Sequence, residues 1–198
     1  MEQEQMALIA VTGGIGAGKT TLMHQFLALG QSTADADDIA HNLYEPGREA
    51  YCSMVERWGE RILLEDARIS RAAVAGIVFT EHSELEWLNA LLHPLARREI
   101  RELSRGKTLF CAIPLLYEGG WEGDCDAVVA VWCPPEVQYS RLRQRGWDDN
   151  EIRRRLESQI SMDEKMSRAD YAIITDCDWA CLERQCRYLL KALGHLQS

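Results

Sequence analysis

Residues 13–20 read Gly-Gly-Ile-Gly-Ala-Gly-Lys-Thr and directly follow an apolar run at residues 7–12. Glycine has no Cβ, so successive backbone N–H groups in such a turn can point at an anion without steric clash. A helix beginning near Lys19 would add the positive end of its dipole. Strand, glycine-rich turn and helix in this order are typical of a Walker A loop, in which Lys19 reaches the β- and γ-phosphates and the Thr20 hydroxyl binds Mg²⁺. The pattern predicts a chain that binds a nucleoside triphosphate, rather than a turn between strand and helix without a ligand.

The rest of the chain alternates short apolar runs with helical patterns. The predicted strands cover residues 7–12, 32–34, 108–113, 127–132 and 171–174. The predicted helices cover residues 20–29, a stretch ending near Tyr44, several pieces within 49–105, and residues 134–145, 150–160 and 179–193. Within the long helical stretch, residues 83–86 form a capping-box pattern that predicts a helix start, and His93-Pro94 predicts a joint between two helices. The alternation favours an α/β fold, a doubly wound parallel sheet flanked by helices.

Composition limits the partners and the compartment. The formal net charge of −9 argues against a nucleic-acid partner, although a nucleotide needs only a local basic pocket. No apolar run approaches the length of a membrane span, and residues 1–5 lack the features of a signal peptide. Seven cysteines without a C-x-x-C pair favour reduced thiols over zinc ligands or disulfides. We therefore expect a cytoplasmic protein with no nucleic-acid or membrane partner.

A second polar cluster follows the short strand at residues 32–34. Asp35 and Asp37 are two residues apart, so in an extended segment their carboxylates would point the same way. We expect their strand to lie near the strand of the Walker loop, with both carboxylates beside the phosphates at the carboxyl edge of the sheet. One could hold a water molecule bound to Mg²⁺, and the other could accept the proton of an attacking hydroxyl. The alternative is that Asp37 or Asp38 caps the helix that follows.

Arginines are concentrated near residues 141–155. Arg141 and Arg145 lie four apart on one predicted helix face, and three further arginines follow at residues 153–155. A mobile segment that brings arginines onto a phosphoryl group in transfer would neutralise its charge and expel water. The alternative is a solvated helix face with charge pairs such as Glu151 with Arg155. The pattern favours a lid over residues 141–160.

The strand near residues 109–113 ends in Pro114 without the aspartate of a Walker B motif, and no Asn-Lys-x-Asp or Asp-x-x-Gly motif occurs. A motor ATPase and a GTPase switch are therefore disfavoured. The protein contacts of the metal then fall to Thr20 and Asp35. What remains is a kinase for a small molecule.

Taken together, these segments resemble the dephospho-CoA kinase family over most of the chain. Residues 12–21 are similar to its phosphate loop, and Asp35-Ala36-Asp37 with Ile39-Ala40-His41 is similar to its acidic motif. The other similar segments are residues 45–47, 88–95, 113–118 and 134–141. The phosphate loop occurs in many families, but the acidic, His-Pro and Pro-Leu-Leu segments in this order are specific.

The resemblance implies transfer of the γ-phosphoryl group of ATP to the ribose 3′-hydroxyl of dephospho-CoA, the last step of coenzyme A biosynthesis. Asp37 would orient and deprotonate that hydroxyl, and Asp35 would support Mg²⁺. Lys19 and Arg141 would neutralise the moving charge. The residues predicted to bind ATP are Gly14, Ile15, Gly16, Ala17, Gly18, Lys19, Thr20, Thr21 and Arg145. Those predicted to bind the acceptor, besides Asp37, are His93, Arg97 and Glu118; a packing role ahead of Pro94 is the alternative for His93.

The implied organisation is one P-loop kinase domain over residues 1–198. Its core would cover about 6–34 and 107–198, a helical acceptor-binding insertion about 38–105, and the lid about 141–160. The family usually has an asparagine in the turn beside the adenine of ATP, whereas residues 175–178 here read Thr-Asp-Cys-Asp, so adenine contacts are not assigned there. Two other functions stay open: a kinase for another small hydroxyl acceptor, such as a nucleoside monophosphate or a shikimate-like compound, and a nucleotide-dependent switch. The acidic pair disfavours the switch.

Overall fold

The computed structural model describes residues 7–194. The segment at residues 1–5, which the sequence predicts is not a signal peptide, lies outside the described residues. The chain divides into two compact units: residues 7–34 with 104–194 form the first, and residues 35–103 form the second. Between residues 7 and 194, no helix combines the length and apolar character needed to cross a membrane.

The first unit is built on a parallel sheet. The strands are β1 (Leu8–Gly13), β2 (Ser32–Asp35), β3 (Leu109–Ala112), β4 (Ala127–Trp132) and β5 (Tyr171–Ile174), in the spatial order β2-β3-β1-β4-β5. β1 pairs in parallel with β3 and β4, and β4 pairs in parallel with β5. Every residue of β1 is buried, which explains why its sequence is a continuous apolar run instead of an alternating one. The predicted α/β fold with a parallel sheet is confirmed.

Nine α-helices are present in residues 7–194, in addition to short 3₁₀ turns. They are α1 (Lys19–Ala28), α2 (Ala36–Asn42), α3 (Glu49–Trp58), α4 (Arg71–Thr80), α5 (His82–Leu103), α6 (Pro135–Gln144), α7 (Asp149–Glu157), α8 (Met162–Arg168) and α9 (Trp179–Ala192). The core of the first unit lies between the sheet and its flanking helices, where Phe26 of α1 stacks on Phe110 of β3 with ring centroids 4.1 Å apart. α8 was not predicted. Ser161 caps it by accepting a hydrogen bond from the backbone N–H of Glu164, but its only buried side chain is a lysine, so no apolar stripe marks the helix in the sequence.

The second unit is helical and has its own core, which includes Met54, Ile62, Val74 and Leu88. The predicted joint at His93-Pro94 is wrong, because α5 runs without a break from His82 to Leu103. A proline inside a helix removes one backbone hydrogen bond. Buried side chains on both sides of Pro94, such as Leu88 and Ile100, hold the helix together across it.

The predicted capping box at residues 83–86 is also wrong. α5 already begins at His82, so Ser83 lies within the helix. The Glu84 carboxylate instead accepts hydrogen bonds from the Arg57 guanidinium at 2.6 and 2.7 Å and from the Trp58 indole at 2.7 Å. These bonds lower the pKa of Glu84 to about 2, and the bond from Arg57 contributes more than the bond from Trp58. Glu84, an inner residue of the predicted box, therefore links α5 to α3.

Candidate functional site

The glycine-rich loop joins the buried end of β1 to the start of α1. Gly18, which immediately precedes α1, has a φ of +101°, in the left-handed region that favours glycine. A Cβ at this position would lie 2.8 Å from the Thr175 hydroxyl oxygen. The first turn of α1 carries no acidic residue, so nothing offsets the positive end of its dipole. The loop therefore has the backbone geometry and the charge that suit a phosphate chain.

Lys19 and the two threonines after it start α1. The Lys19 ammonium donates hydrogen bonds to the carbonyl oxygens of Gly13 at 2.7 Å and Gly14 at 3.1 Å, so it lies over the first residues of the loop. Thr20 and Thr21 are exposed. These positions agree with the predicted nucleotide site, although the individual phosphate contacts stay predictions.

Arg141 of α6 fastens the phosphate loop to the turn that follows β5. Its guanidinium donates to the Thr175 hydroxyl at 3.0 Å and to the Thr175 carbonyl at 2.7 Å, with longer contacts to the carbonyls of Ala17 at 3.3 Å and Gly16 at 3.4 Å. The buried Thr175 hydroxyl in turn donates to the Ala17 carbonyl. The structure thus gives Arg141 a part in shaping the loop, and its predicted action on the transferred phosphoryl group stays a prediction. Thr175 was missed, although its place after a strand parallel to the Walker strand was a signal.

Gln138 is a second support for the loop. This glutamine of α6 is 4% exposed, and its side-chain amide donates to the Ile15 carbonyl at 2.7 Å. The sequence drew attention to Gln138 only as part of a resemblance and predicted no role for it. A buried side chain that satisfies a loop carbonyl holds the loop in one conformation.

The predicted lid consists of the end of α6, a short connection and α7. Arg145 follows the last residue of α6 and is exposed. Arg154 and Arg155 pair with Glu151 at 2.5 Å, and the Arg155 guanidinium carbon lies 4.3 Å from the centre of a Trp147 ring. For these two arginines the structure therefore shows the charge-pair alternative. Closure of the segment and a role for Arg145 stay predictions.

The acidic segment departs from its predicted geometry. Asp35 ends β2 and caps α2, because its Oδ1 accepts a hydrogen bond from the backbone N–H of Asp37 at 2.8 Å. Asp37 therefore lies in the first turn of a helix, and the prediction that both carboxylates extend from one strand and point the same way is wrong. The capping alternative named the wrong residue as well, since the cap is neither Asp37 nor Asp38. In the sheet, β3 separates β2 from β1, the Walker strand.

Asp35 is partly buried and lies close to two other carboxylates. Partial burial raises the pKa of Asp35; the hydrogen bond from Asp37 N–H opposes this shift, and the carboxylates of Asp37 and Asp38 add to it. Asp37 and Asp38 are themselves exposed, at the positive end of the α2 dipole. Carboxylate and hydroxyl oxygens are ligands that Mg²⁺ prefers, so the donor types of Asp35 and Thr20 fit this ion.

The predicted acceptor residues of the second unit lie on α5. His93 and Arg97 are four residues apart on this helix, hence on one face, and both are partly buried. Burial lowers the pKa of His93, and the nearby charge of Arg97 lowers it further. The lowered pKa favours the neutral imidazole, in which one ring nitrogen can accept a hydrogen bond.

Glu118, the predicted acceptor residue of the first unit, is an exposed residue whose carboxylate pairs with a buried lysine. Its Oε1 lies 2.8 Å from the Lys165 ammonium and accepts the backbone N–H of Ile160 at 2.9 Å. Burial raises the pKa of Glu118, but the hydrogen bonds from Lys165 and from backbone N–H groups outweigh it, so the pKa is lowered overall. Lys165 is completely buried and also donates to the Pro114 carbonyl at 2.7 Å. The sequence missed Lys165, because a single lysine in a charged segment is typical of a solvated helix face.

Comparison with known proteins agrees with this geometry. A family model described as dephospho-CoA kinase matches residues 7–180. The dephospho-CoA kinase of Methylococcus capsulatus is 35% identical over 184 residues, which cover 91% of this chain and 93% of that protein. Among solved structures, TT1252 from Thermus thermophilus has a TM-score of 0.78 at 31% identity, covering 97% of this chain and 98% of its own. The dephospho-CoA kinase from Campylobacter jejuni has a TM-score of 0.71 at 26% identity, covering 96% and 98%.

The family match extends over the glycine-rich loop, the acidic segment, the His-Pro pair and the segment around Glu118. Together with the parallel sheet that carries the loop, it shows that this chain belongs to the dephospho-CoA kinase family.

Proposed function

We propose that this chain transfers the γ-phosphoryl group of ATP to the 3′-hydroxyl of the ribose of dephospho-CoA, giving coenzyme A and ADP. The observation that carries the proposal is the phosphate loop, which is fixed in shape by Arg141, Thr175 and Gln138 within a chain of this family. A kinase for another small hydroxyl acceptor is disfavoured, because the family match includes the segments around His93 and Glu118.

On the donor side, backbone N–H groups of residues 14–18 and the start of α1 would hold the triphosphate. Lys19 would move from the carbonyls of Gly13 and Gly14 onto the β- and γ-phosphates. Thr20 and Asp35 would hold Mg²⁺, which when bound neutralises charge on the phosphates.

On the acceptor side, Asp37 would accept the proton of the 3′-hydroxyl while the oxygen of that hydroxyl forms its bond to the γ-phosphorus. The bond from the γ-phosphorus to the bridging oxygen breaks, and ADP leaves with that oxygen. Asp37 is suited to this role because its carboxylate is exposed and its backbone N–H, not its side chain, is used in capping α2. Lys19 and Arg141 would stabilise the charge on the transferred group.

The test is an ADP-release assay with ATP, Mg²⁺ and dephospho-CoA, run beside AMP and shikimate as other acceptors. Asp37→Asn should lower kcat by at least the ~10²-fold expected for a lost general base, with KM for ATP little changed. Asp38→Asn is the matched control, since Asp38 is the exposed neighbour in the same helical turn, and it should retain nearly full turnover. If Asp37→Asn and Asp38→Asn have the same kcat, the general base is a residue other than Asp37. Faster transfer to AMP or shikimate than to dephospho-CoA would refute the acceptor.

A cytoplasmic location is part of the proposal. All seven cysteines carry free thiols, and at least one of them, Cys52, is exposed. Exposed thiols persist in a reducing compartment, where disulfides are rare.

A further inference from the structure

Two thiols lie close together at the start of α9, just after the turn that holds the phosphate loop. Cys177 precedes Asp178, the residue that caps α9, and Cys181 lies in the first turn of this helix. The side-chain nitrogen Nε2 of Gln185 lies 3.4 Å from the Cys177 sulfur and 3.9 Å from the Cys181 sulfur. Two sulfurs that contact the same nitrogen are near neighbours. We refer to Cys177 and Cys181 as the thiol pair.

The two thiols also interact with each other and can be reached from solution. Burial raises the pKa of Cys177, and a hydrogen bond with the Cys181 thiol raises it further. Cys177 is exposed and Cys181 is partly exposed, so a small reagent has access to the pair. By contrast, Cys186, the next cysteine of α9, is completely buried in the core of the first unit. Proximity and access are the two conditions that a pair of thiols must meet to form a disulfide.

The thiol pair is connected to the phosphate loop through one short turn. The Cys177 thiol donates to the Ile174 carbonyl at 3.4 Å. Gln185 bonds both backbone groups of Ile174, because it accepts the N–H at 3.0 Å and donates to the carbonyl at 2.9 Å. Thr175, the next residue, donates its hydroxyl to the Ala17 carbonyl of the loop. A change at Cys177 therefore acts on a segment that fixes the shape of the loop.

Formation of a disulfide would move the turn more than the helix. The sulfurs of a disulfide are about 2.05 Å apart, much closer than two thiols in van der Waals contact. Cys181 is held in place, because its backbone N–H donates to the Asp178 carboxylate at 2.7 Å and α9 buries Leu182 in the core. Cys177 lies in the turn, so its sulfur is the one that shifts. It would also lose its bond to the Ile174 carbonyl, because a disulfide sulfur has no hydrogen to donate.

We propose that Cys177 and Cys181 form a disulfide on reaction with a low-molecular-weight disulfide, and that this bond weakens the binding of ATP to the phosphate loop. Disulfides that form in a reducing compartment are usually transient and sense the redox state. The inference goes beyond the proposed function, since it needs the nucleotide site but not the identity of the acceptor.

The reaction is two successive thiol–disulfide exchanges. One thiol of the pair loses its proton, and its sulfur attacks a sulfur of the small disulfide, whose S–S bond breaks and releases one small thiolate. The second thiol of the pair then loses its proton and attacks the mixed disulfide, which releases the other small thiolate. The protein gives up two electrons and two protons, and the small disulfide takes up both and leaves as two thiols.

The experiment treats the full chain with glutathione disulfide, maps the cysteines by peptide mass spectrometry and measures the affinity for ATP by calorimetry after the reagent is removed. In the wild-type chain we expect a link between Cys177 and Cys181 and a Kd for ATP about 10-fold higher, the effect of losing one well-formed hydrogen bond at the loop. Reduction with dithiothreitol should restore the affinity. Cys181→Ser should retain glutathione on Cys177, because the thiol that would displace it is gone.

Cys52→Ser is the matched control, because Cys52 is an exposed thiol of α3 in the second unit, and it should leave the response to glutathione disulfide unchanged. Cys177→Ser should bind ATP as the reduced wild-type chain does, with or without the reagent. A loss of affinity in treated Cys177→Ser would overturn the inference, since another thiol would then be responsible.

Three results for the treated wild-type chain would also overturn the inference. The first is a thiol pair without a link, either still reduced or carrying glutathione on each cysteine. The second is a link from Cys177 to Cys186, and the third is a linked chain that binds ATP as tightly as the reduced one. Failure to phosphorylate dephospho-CoA would overturn the proposed function but not this inference, because the readouts are the cysteine map and the binding of ATP.

Discussion

Lys165 provides a quantitative test of the network beneath Glu118. It is 0% exposed, and its ammonium contacts the Pro114 carbonyl at 2.7 Å and the Glu118 carboxylate at 2.8 Å. Lys165→Met keeps an unbranched apolar side chain but removes the ammonium group that contacts the Pro114 carbonyl and the Glu118 carboxylate. Removal of one partner from a buried ion pair costs about 3–5 kcal/mol, and we expect about 3 kcal/mol here because the Glu118 side chain is 20% exposed and keeps the N–H of Ile160. For a chain of this size the expected fall in Tm is about 6–12 °C.

The assay is urea unfolding at neutral pH in a double-mutant cycle with Glu118→Gln. The double variant should lose less than the sum of the single losses, because Glu118→Gln removes the charge that Lys165→Met leaves unpaired. Lys191→Met, at an exposed lysine of α9, should change the free energy of unfolding by no more than about 0.5 kcal/mol. A loss below about 1 kcal/mol in Lys165→Met, or simple additivity in the cycle, would refute the reasoning.

The network also predicts a dependence of stability on pH. Burial raises the pKa of Glu118, but the hydrogen bond from Lys165, the backbone hydrogen bonds and the charge of Lys165 together outweigh it, so the folded-state pKa is lowered from 4.5. A carboxyl group with a lowered pKa stabilises the fold above its unfolded pKa, and this contribution is lost as the pH falls through the folded value. Lys165→Met should therefore lose less stability than the wild-type chain when the pH falls below about 4.5.

Two further predictions concern a glycine and the thiols. Gly18→Ala combines a φ of +101° with a Cβ 2.8 Å from the Thr175 hydroxyl, so it should cost about 2 kcal/mol or more and weaken ATP binding measured by calorimetry. Gly76→Ala is the control, because Gly76 lies in helix α4 with open space around the added Cβ, and it should stabilise the fold by about 0.5–1 kcal/mol. If Gly76→Ala were less stable than Gly18→Ala, the role of the loop conformation would be refuted. Burial raises the pKa of Cys186 to about 12, with smaller contributions from the neighbouring groups, so its thiol should resist alkylation near pH 8. The exposed Cys52 should react under the same conditions, and equal labelling of both in peptide mass spectra would contradict the burial argument.

The sequence predicted those parts of the fold that depend on local chemistry. The apolar run at residues 7–12 followed by the glycines of residues 13–18 correctly predicted a buried strand that ends in a tight loop, and the alternation of apolar runs with helical patterns correctly predicted the parallel sheet. The errors arose where packing outweighs local preference. Pro94 indicates a helix end, yet burial on both sides carries α5 through it. In the sequence, Asp35 and Asp37 look like two equivalent carboxylates, but Asp35 caps α2, the helix that carries Asp37.

The functional residues that the sequence did not predict were missed for a different reason. Lys165 and Thr175 have ordinary sequence surroundings, and their importance comes from neighbours distant in the chain. A buried lysine cannot be distinguished in the sequence from a solvated one, because its partner is not known. Such residues can be recognised only once the tertiary contacts are known.

The bond from the Thr175 hydroxyl to the Ala17 carbonyl joins positions 158 residues apart in the chain. The loop at residues 13–18 is therefore completed by a turn that occurs much later in the chain. Because chains are synthesised from the N-terminus, a growing polypeptide that has not yet reached Thr175 should possess the motif without its final shape. A product truncated before Thr175 should therefore bind the nucleotide more weakly than the longer chain.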